Sequence, residues 1–581
     1  MASMTEVITH KGQAETHSAV ERIGAFAVAA RPEHLTTDIR QLFKRNILDS
    51  IGCAIAAVAG RSLRTLRDQI EEYRAPGRCT LIGGGKTSPD QAALFNSSLV
   101  RYVDLLDSYM AKGGLCHPSD NFGTILAAAE YVGASGEEFM LALAVAYEIQ
   151  CRFTSAVPVM AKGFNHATQL AISAAAGAGK LFGLSADEIA NAISIATVDN
   201  VSLANVHAEP VSHWKGFSPG MTGMRAVYAA SLAQRGFTGP KGLFEGPFGL
   251  ELMFKQSIPV DWEQTSLDLI TQTVMKKYCS LIHGQPILEA VLELKRRNGL
   301  TADDVEDVRC DVFQGVFDFA GGGAFGSKSH PQMKEQGDYN IKYLVAAALL
   351  DDQVGPAQLD EARIQAPDVQ ALLKRVEIRP DDSFSARYPH ELSARITIRT
   401  KDQRVFAKEQ NGYEGGLTNP MSWERTVEKF HWLAEAFADE ELRSRITRAV
   451  EQLGPAQLDE TRIQAPDVQA LLKRVEIRPD DSFSARYPHE LSARITIRTK
   501  DQRVFAKEQN GYEGGLTNPM SWERTVEKFH WLAEVFADEE LRSRIIRAVE
   551  QLDSLEVSDL TALLAEVRPN ATFPATHRGI Q

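Results

Sequence analysis

Asp104-Leu-Leu-Asp-Ser108-Tyr-Met-Ala-Lys-Gly-Gly-Leu-Cys-His117-Pro-Ser-Asp-Asn121 gathers carboxylates, hydroxyls and a histidine between two helical signals. Upstream, over 90–109, Ala92, Ala93, Leu94, Leu99, Val100 and Val103 recur at helical spacing. The Gly113-Gly114 pair is expected to end that helix. Downstream, 124–132 is apolar and alanine-rich, which puts His117 near the start of a second helix. Unpaired N–H groups there favour an anion, such as a carboxylated substrate.

Working outward, almost everything before residue 270 reads as helix. Amphipathic runs occupy 19–30, 37–58, 137–153, 167–181 and 186–198, with Ser135/Glu138 and Ser185/Glu188 as capping boxes. Ala174-Ala-Ala-Gly177-Ala-Gly179 would let soluble helices pack closely. A strand over 303–313, a glycine-rich loop at 321–326 and a helix over 340–350 then open a smaller α+β unit near residue 270. The fold class is therefore α+β, predominantly α.

Residues 355–453 recur as 454–552, a period of 99, with only Ala362/Thr461, Ala436/Val535 and Thr447/Ile546 differing. Solenoid repeats diverge and have shorter periods of roughly 20–50 residues, so this pattern points to a recent tandem duplication or a misassembled gene sequence, and one copy is expected to be surplus. Each copy reads as a short helix (368–374), a strand (376–379), a hairpin (391–399 and 404–408) and two helices (422–437 and 439–452).

Composition excludes several classes. The 581 residues are 44% hydrophobic and 24% charged, enough for more than one domain with ample core. A net charge of −13 argues against nucleic acid, so any basic site is local. No apolar run reaches the roughly 18 residues a bilayer span needs, and the first 30 residues lack a signal peptide's apolar core. No membrane partner and a cytoplasmic location are expected. The six cysteines show no C-x-x-C spacing and read as reduced core residues.

Other polar residues in small-residue contexts are further candidates. His166, in Phe164-Asn-His166, stands where the helix over 167–181 begins; histidine is the side chain most readily tuned near neutral pH. Lys215 precedes a helix start punctuated by Pro219, Gly220 and Gly223. Lys276, Lys277, Tyr278, His283 and Gln285 lie at the domain junction, a favoured place for ligand pockets. Gly83-Gly-Gly-Lys86-Thr87 lacks the first glycine of a P-loop, no dinucleotide fingerprint follows a strand, and no spacing suggests a metal cage. No cofactor and no metal are expected.

Asp104-x3-Ser108 with His117-Pro-Ser-Asp-Asn121, Phe164-Asn-His166, Lys215 with Gly220 and Gly223, and Lys276-x-Tyr278 followed by His283-x-Gln285 together resemble the MmgE/PrpD family. Its members include 2-methylcitrate dehydratase, cis-aconitate decarboxylase and iminodisuccinate epimerase. The resemblance implies a large helical domain (17–270), an α+β lid (271–410) and helices returning to the helical domain (411–453); the repeat adds a duplicate (454–552), and a tail (553–581) follows. It also implies a homodimer and a cleft holding the named residues.

Within the family the motifs look most like the 2-methylcitrate dehydratase branch. The expected reaction is loss of water from a β-hydroxy tricarboxylate, 2-methylcitrate giving 2-methyl-aconitate. Such a reaction needs a base for a carbon-bound proton, an acid for the departing hydroxyl and cations for the carboxylates. His166 as base and His117, oriented by Asp104, as acid is one assignment; the reverse is equally open. Lys215 and Lys276 would hold carboxylates and stabilise developing charge. Ser108 would position a carboxylate or hydroxyl, with Lys277, Tyr278, His283 and Gln285 as further substrate contacts. Decarboxylation and epimerisation need the same parts, and a catalytically inactive binding or assembly protein is the alternative of another class.

Overall fold

The structure is a computed structural model that describes residues 17–73, 77–111, 114–388, 391–416 and 537–567, strands 493–498 and 504–509, and positions 522, 526, 529, 530 and 533. The first nine helices are α1 (Ala19–Ala29), α2 (Thr37–Ala57), α3 (Arg61–Tyr73), α4 (Pro89–Tyr102), α5 (Phe122–Val132), α6 (Gly136–Ala156), α7 (Ala167–Leu181), α8 (Ala186–Val198) and α9 (Trp214–Ala233). The expected capping boxes form: Ser135 Oγ accepts from the Glu138 N–H and Ser185 Oγ from that of Glu188, each with the glutamate reaching back.

Small residues fix how these helices meet. The Ala/Gly run of α7 is buried throughout. On α9, a Cβ at Gly220 would stand 2.5 Å from the Leu94 carbonyl oxygen of α4, and one at Gly223 would stand 2.0 Å from Thr124 Oγ1 of α5. Glycine at these two positions lets α9 lie against the helices on either side of the Asp104–Asn121 segment, bringing Lys215 in its first turn toward that segment.

One correction concerns the quoted stretch itself. α4 ends at Tyr102 rather than at the glycine pair, and Ser108–Ala111 forms a strand. The β1–β2 hairpin (Cys79–Thr80, Lys86–Thr87) precedes it; β3 (Ser108–Ala111) pairs antiparallel with β4 (Gly114–Cys116) and with β5 (Thr273–Val274). Pairing with a distant strand overrides the local helical pattern, and it ties the helical body to the junction near residue 275.

After α10 (Leu250–Phe254) and α11 (Gln285–Asn298) comes a second hydrophobic core around a four-stranded sheet. Its strands are β6 (Val305–Val312), β7 (Val376–Pro380), β8 (Ala394–Thr400) and β9 (Val405–Gln410), in the order β7-β6-β8-β9. β6 and β7 run parallel and the other pairs antiparallel. Val308, Cys310 and Val312 pair with Ile398, Ile396 and Ala394, and all six are buried. The fold is predominantly helical with small sheets, as expected. Among the described residues no helix is long and apolar enough to cross a membrane.

The described residues of the two repeat copies fall mainly in different halves of the segment. The lid sheet takes β7, β8 and β9 from the first copy. The helical core takes Val526, Phe529, Ala533, Leu541, Ile545, Ile546 and Val549 from the second. The helices expected over 422–452 of the first copy lie outside the described residues. β10 (Ala493–Arg498) and β11 (Val504–Gln509) repeat the β8–β9 register, Ala493 opposite Gln509 as Ala394 is opposite Gln410. The helix Glu539–Glu550 leads within a few residues to Val557–Ala565, which docks on the helical body. There the Val557 N–H donates to the Ala134 carbonyl at 3.1 Å, and Thr561 Oγ1 to Glu130 Oε1 at 2.8 Å.

Candidate active site

The site begins where α4 stops. Asp104 takes a left-handed backbone (φ 49°) and is almost wholly buried. Such a conformation is rare outside glycine, asparagine and aspartate, and here ion pairs hold it. Lys276 Nζ donates to Asp104 Oδ1 at 2.6 Å and to its carbonyl at 3.1 Å. Lys215 Nζ donates to Asp104 Oδ2 at 3.4 Å and to Asp338 Oδ1 at 2.8 Å, and Lys334 reaches Asp338 Oδ2 at 2.7 Å. Burial works against the Asp104 charge, but Lys276, Lys215 and Arg101 outweigh it and hold the carboxyl well below its ordinary range.

His117 is held from behind. Its Nδ1 lies 2.8 Å from the Asp107 carbonyl and 3.1 Å from Ser108 Oγ. A carbonyl only accepts, so Nδ1 carries the proton and Nε2 keeps the lone pair. The Asp107 carboxylate in turn accepts from the Ser119 N–H (3.0 Å), Ser119 Oγ (2.6 Å) and Asn46 Nδ2 (2.9 Å), which closes the loop on both sides of the imidazole. Asp104, expected to orient His117, is engaged by the lysines.

His166, at the start of α7, packs edge-on to His117 with ring centroids 5.1 Å apart, and its Nε2 lies 3.3 Å from Asp120 Oδ2. Burial lowers the proton affinity of both rings; Arg101 and Lys276 lower His117 further, while Asp120 opposes the shift at His166. Lys276 is likewise lowered by burial, against the pull of Asp104.

The structure thus brings together Asp104, Ser108, His117, His166, Lys215 and Lys276. The remaining candidates are engaged elsewhere at the junction. Lys277 Nζ pairs with Glu289 (3.0 Å) and Glu414 (2.7 Å), and the Tyr278 hydroxyl donates to Glu289 at 2.8 Å. Gln285 Oε1 accepts from the N–H groups of Lys277 (2.9 Å) and Tyr278 (3.0 Å), bracing the turn into α11. His283 is buried against Phe313 and Tyr388, and its Nε2 makes no hydrogen bond among the described residues.

Several participants are not apparent from the sequence. His207 stacks on Tyr339 at 4.8 Å and its Nε2 accepts from Asn165 Nδ2 at 2.8 Å; Tyr339 also lies under Lys215 Nζ. Asp338 and Arg101 complete the surroundings, together with Asp120 of the His117–Asn121 motif already noted. The signal available for Arg101 was a run of polar residues, Asn96, Ser97, Ser98 and Arg101, on an otherwise apolar helix, all of them buried. Among the described residues no cluster of three or more His, Cys, Asp or Glu side chains could hold a metal ion.

The MmgE/PrpD N-terminal domain matches residues 21–263, and the MmgE/PrpD C-terminal domain matches 278–453 and again 450–554. A 2-methylcitrate dehydratase of Salmonella typhi is 25% identical over 456 residues, covering 73% of this chain and 91% of the relative. A cis-aconitate decarboxylase of Aspergillus terreus is 25% identical over 437 residues, covering 70% and 87%. A cis-aconitate decarboxylase-like protein of Aspergillus oryzae is 24% identical over 453 residues, covering 72% and 91%. With both of the family's domains matched across most of its length, and with paired histidines beside a buried lysine–aspartate cluster, the chain belongs to the MmgE/PrpD family.

Proposed function

We propose that the chain is a hydro-lyase that removes water from a β-hydroxy tricarboxylate, 2-methylcitrate giving 2-methyl-aconitate, by acid/base chemistry without a cofactor. The observation that carries this reading is the pair of buried rings, His117 and His166, 5.1 Å apart beside the lysines on Asp104. His117 Nε2, unprotonated because Nδ1 donates to the Asp107 carbonyl, takes the carbon-bound proton. His166, with Asp120 behind it, gives a proton to the departing hydroxyl, which leaves as water as the double bond forms. Lys215 and Lys276 hold substrate carboxylates and stabilise the charge that develops as the proton leaves.

The Aspergillus relatives favour a second reading, decarboxylation of cis-aconitate; epimerisation of iminodisuccinate would use the same groups. Proton NMR of the full-length protein with each of the three compounds separates the readings. The alkene is expected from 2-methylcitrate, and His117→Asn or His166→Asn should slow it about 10²- to 10⁴-fold. Turnover of cis-aconitate or iminodisuccinate alone would move the assignment within the family. A folded double variant with undiminished turnover would remove the histidines from the mechanism, and no turnover of any compound would favour a binding role.

A further inference from the structure

We propose that the guanidinium of Arg101 is a carboxylate clamp, gripping one carboxylate of the substrate through two parallel N–H···O bonds. The inference rests on the polycarboxylate reading above and adds a residue to it. Arg101 closes α4 and is 3% exposed. A guanidinium carries five N–H donors in a fixed fork and stays charged. At Arg101 no described group accepts from any of them. Its NH1 is out of solvent and makes no hydrogen bond to a described group; its ion-pair partner, Asp104 Oδ1, is 3.9 Å away, beyond hydrogen-bond reach.

Another buried arginine shows how the chain treats a structural guanidinium. Arg152 donates to Glu148 Oε1 at 2.8 Å and to the carbonyls of Asp261, Gln264 and Ser266 at 2.9–3.0 Å. Arg101 has no such cradle: Asp104, Asp120 and Asp338 favour its charge, yet among the described residues none takes up its N–H donors. The missing acceptor is the shape of an incoming carboxylate, whose two oxygens match two adjacent N–H groups.

Position supports the same role. The Arg101 charge acts on His117, His166, His207 and Lys276, so the guanidinium stands within the cluster that surrounds the reacting groups. Lys215 is already hydrogen-bonded to carboxylates of the protein, whereas the donors of Arg101 are open. A tricarboxylate drawn in by the lysines would therefore meet in Arg101 a cation whose hydrogen bonds are still to be made.

The test separates binding from turnover by using propane-1,2,3-tricarboxylate, which has three carboxylates and no hydroxyl to lose. Calorimetric titration of the full-length protein should show binding, weakened about 10- to 100-fold by Arg101→Gln. Arg101→Lys, which keeps the charge but not the fork, should also be weakened by about tenfold. Unfolding temperature is expected to fall modestly in Arg101→Gln, because the attraction of Asp104, Asp120 and Asp338 for the guanidinium is lost, so affinity is compared on variants shown to be folded. A folded Arg101→Gln protein that binds as tightly as the parent overturns the clamp. So does wild-type affinity in Arg101→Lys, or a lowered unfolding temperature with affinity unchanged. A parent protein that binds no tricarboxylate, while folded, overturns the polycarboxylate reading and the clamp with it.

Discussion

Burial governs the protonation of the histidines around the site, and His283 shows the consequence most simply. Desolvation, helped by the Lys276 charge, pushes its pKa down to about 4. Between pH 6.5 and 4 the unfolded chain therefore binds a proton that the folded chain refuses, so stability falls as pH falls through that window. The loss assignable to His283 is on the order of 3 kcal/mol over those 2.5 units. Unfolding temperatures of the parent and His283→Gln should diverge on acidification below pH 6.5, the parent falling faster; parallel curves would remove His283 from the acid response. At this scale the sequence made much of the site legible: His117, His166, Lys215 and Lys276 sit in short polar contexts that local reading can find. Arg101 is less legible, its one local signal being the buried polar run on α4, and Asp338 meets Lys215 only across the junction, which no local spacing records. The same is true of what holds His117, a backbone carbonyl rather than the Asp104 carboxylate.

Glycine at the first turn of α6 links helix packing to the second repeat. A Cβ on Gly136 would lie 1.2 Å from the Leu552 carbonyl oxygen, and the Gly136 N–H donates to the Leu555 carbonyl at 2.7 Å. Helix propensity alone would favour alanine by up to about 1 kcal/mol, whereas a clash with backbone costs about 1–3 kcal/mol in a packed site. At 1.2 Å the clash wins: Gly136→Ala should lower the unfolding temperature, measured by calorimetry at pH 7, and a rise would show that the 552–555 segment does not pack there. Helices were the most legible elements, since α7, α8 and their caps follow from periodicity and the Ser/Glu signals. The end of α4 was not legible. The run to Val103 continues a helical pattern, yet Ser108 and Tyr109 find strand partners in Val274 and Thr273, some 165 residues away.

At the scale of the whole molecule, among the described residues, the lid strands come from the first copy of a 99-residue segment and the core helices from the second. The repeat was plain in the sequence, but near-identity of the copies gave no local ground for choosing between them. Two features bear on the choice of helices. The docked helix Val557–Ala565 follows only the second copy, a few residues after Glu539–Glu550. Ile546 is fully buried in the helical core, where the first copy carries Thr447. A threonine there would lose apolar contact and bury a hydroxyl, costing about 1–3 kcal/mol. Because Gly416 corresponds to Gly515, deleting residues 417–515 removes one period and joins the described lid directly to the second copy's helices. That shortened chain should fold, match the parent's unfolding temperature and keep its activity, as should a chain lacking 355–453. A chain lacking 454–552 retains Thr447 and Ala436 and should unfold earlier, and Thr447→Ile should restore most of the difference. Equal unfolding temperatures for the three deletions would show that the copies are interchangeable in the core, and failure of the 417–515 deletion to fold would show that both are needed.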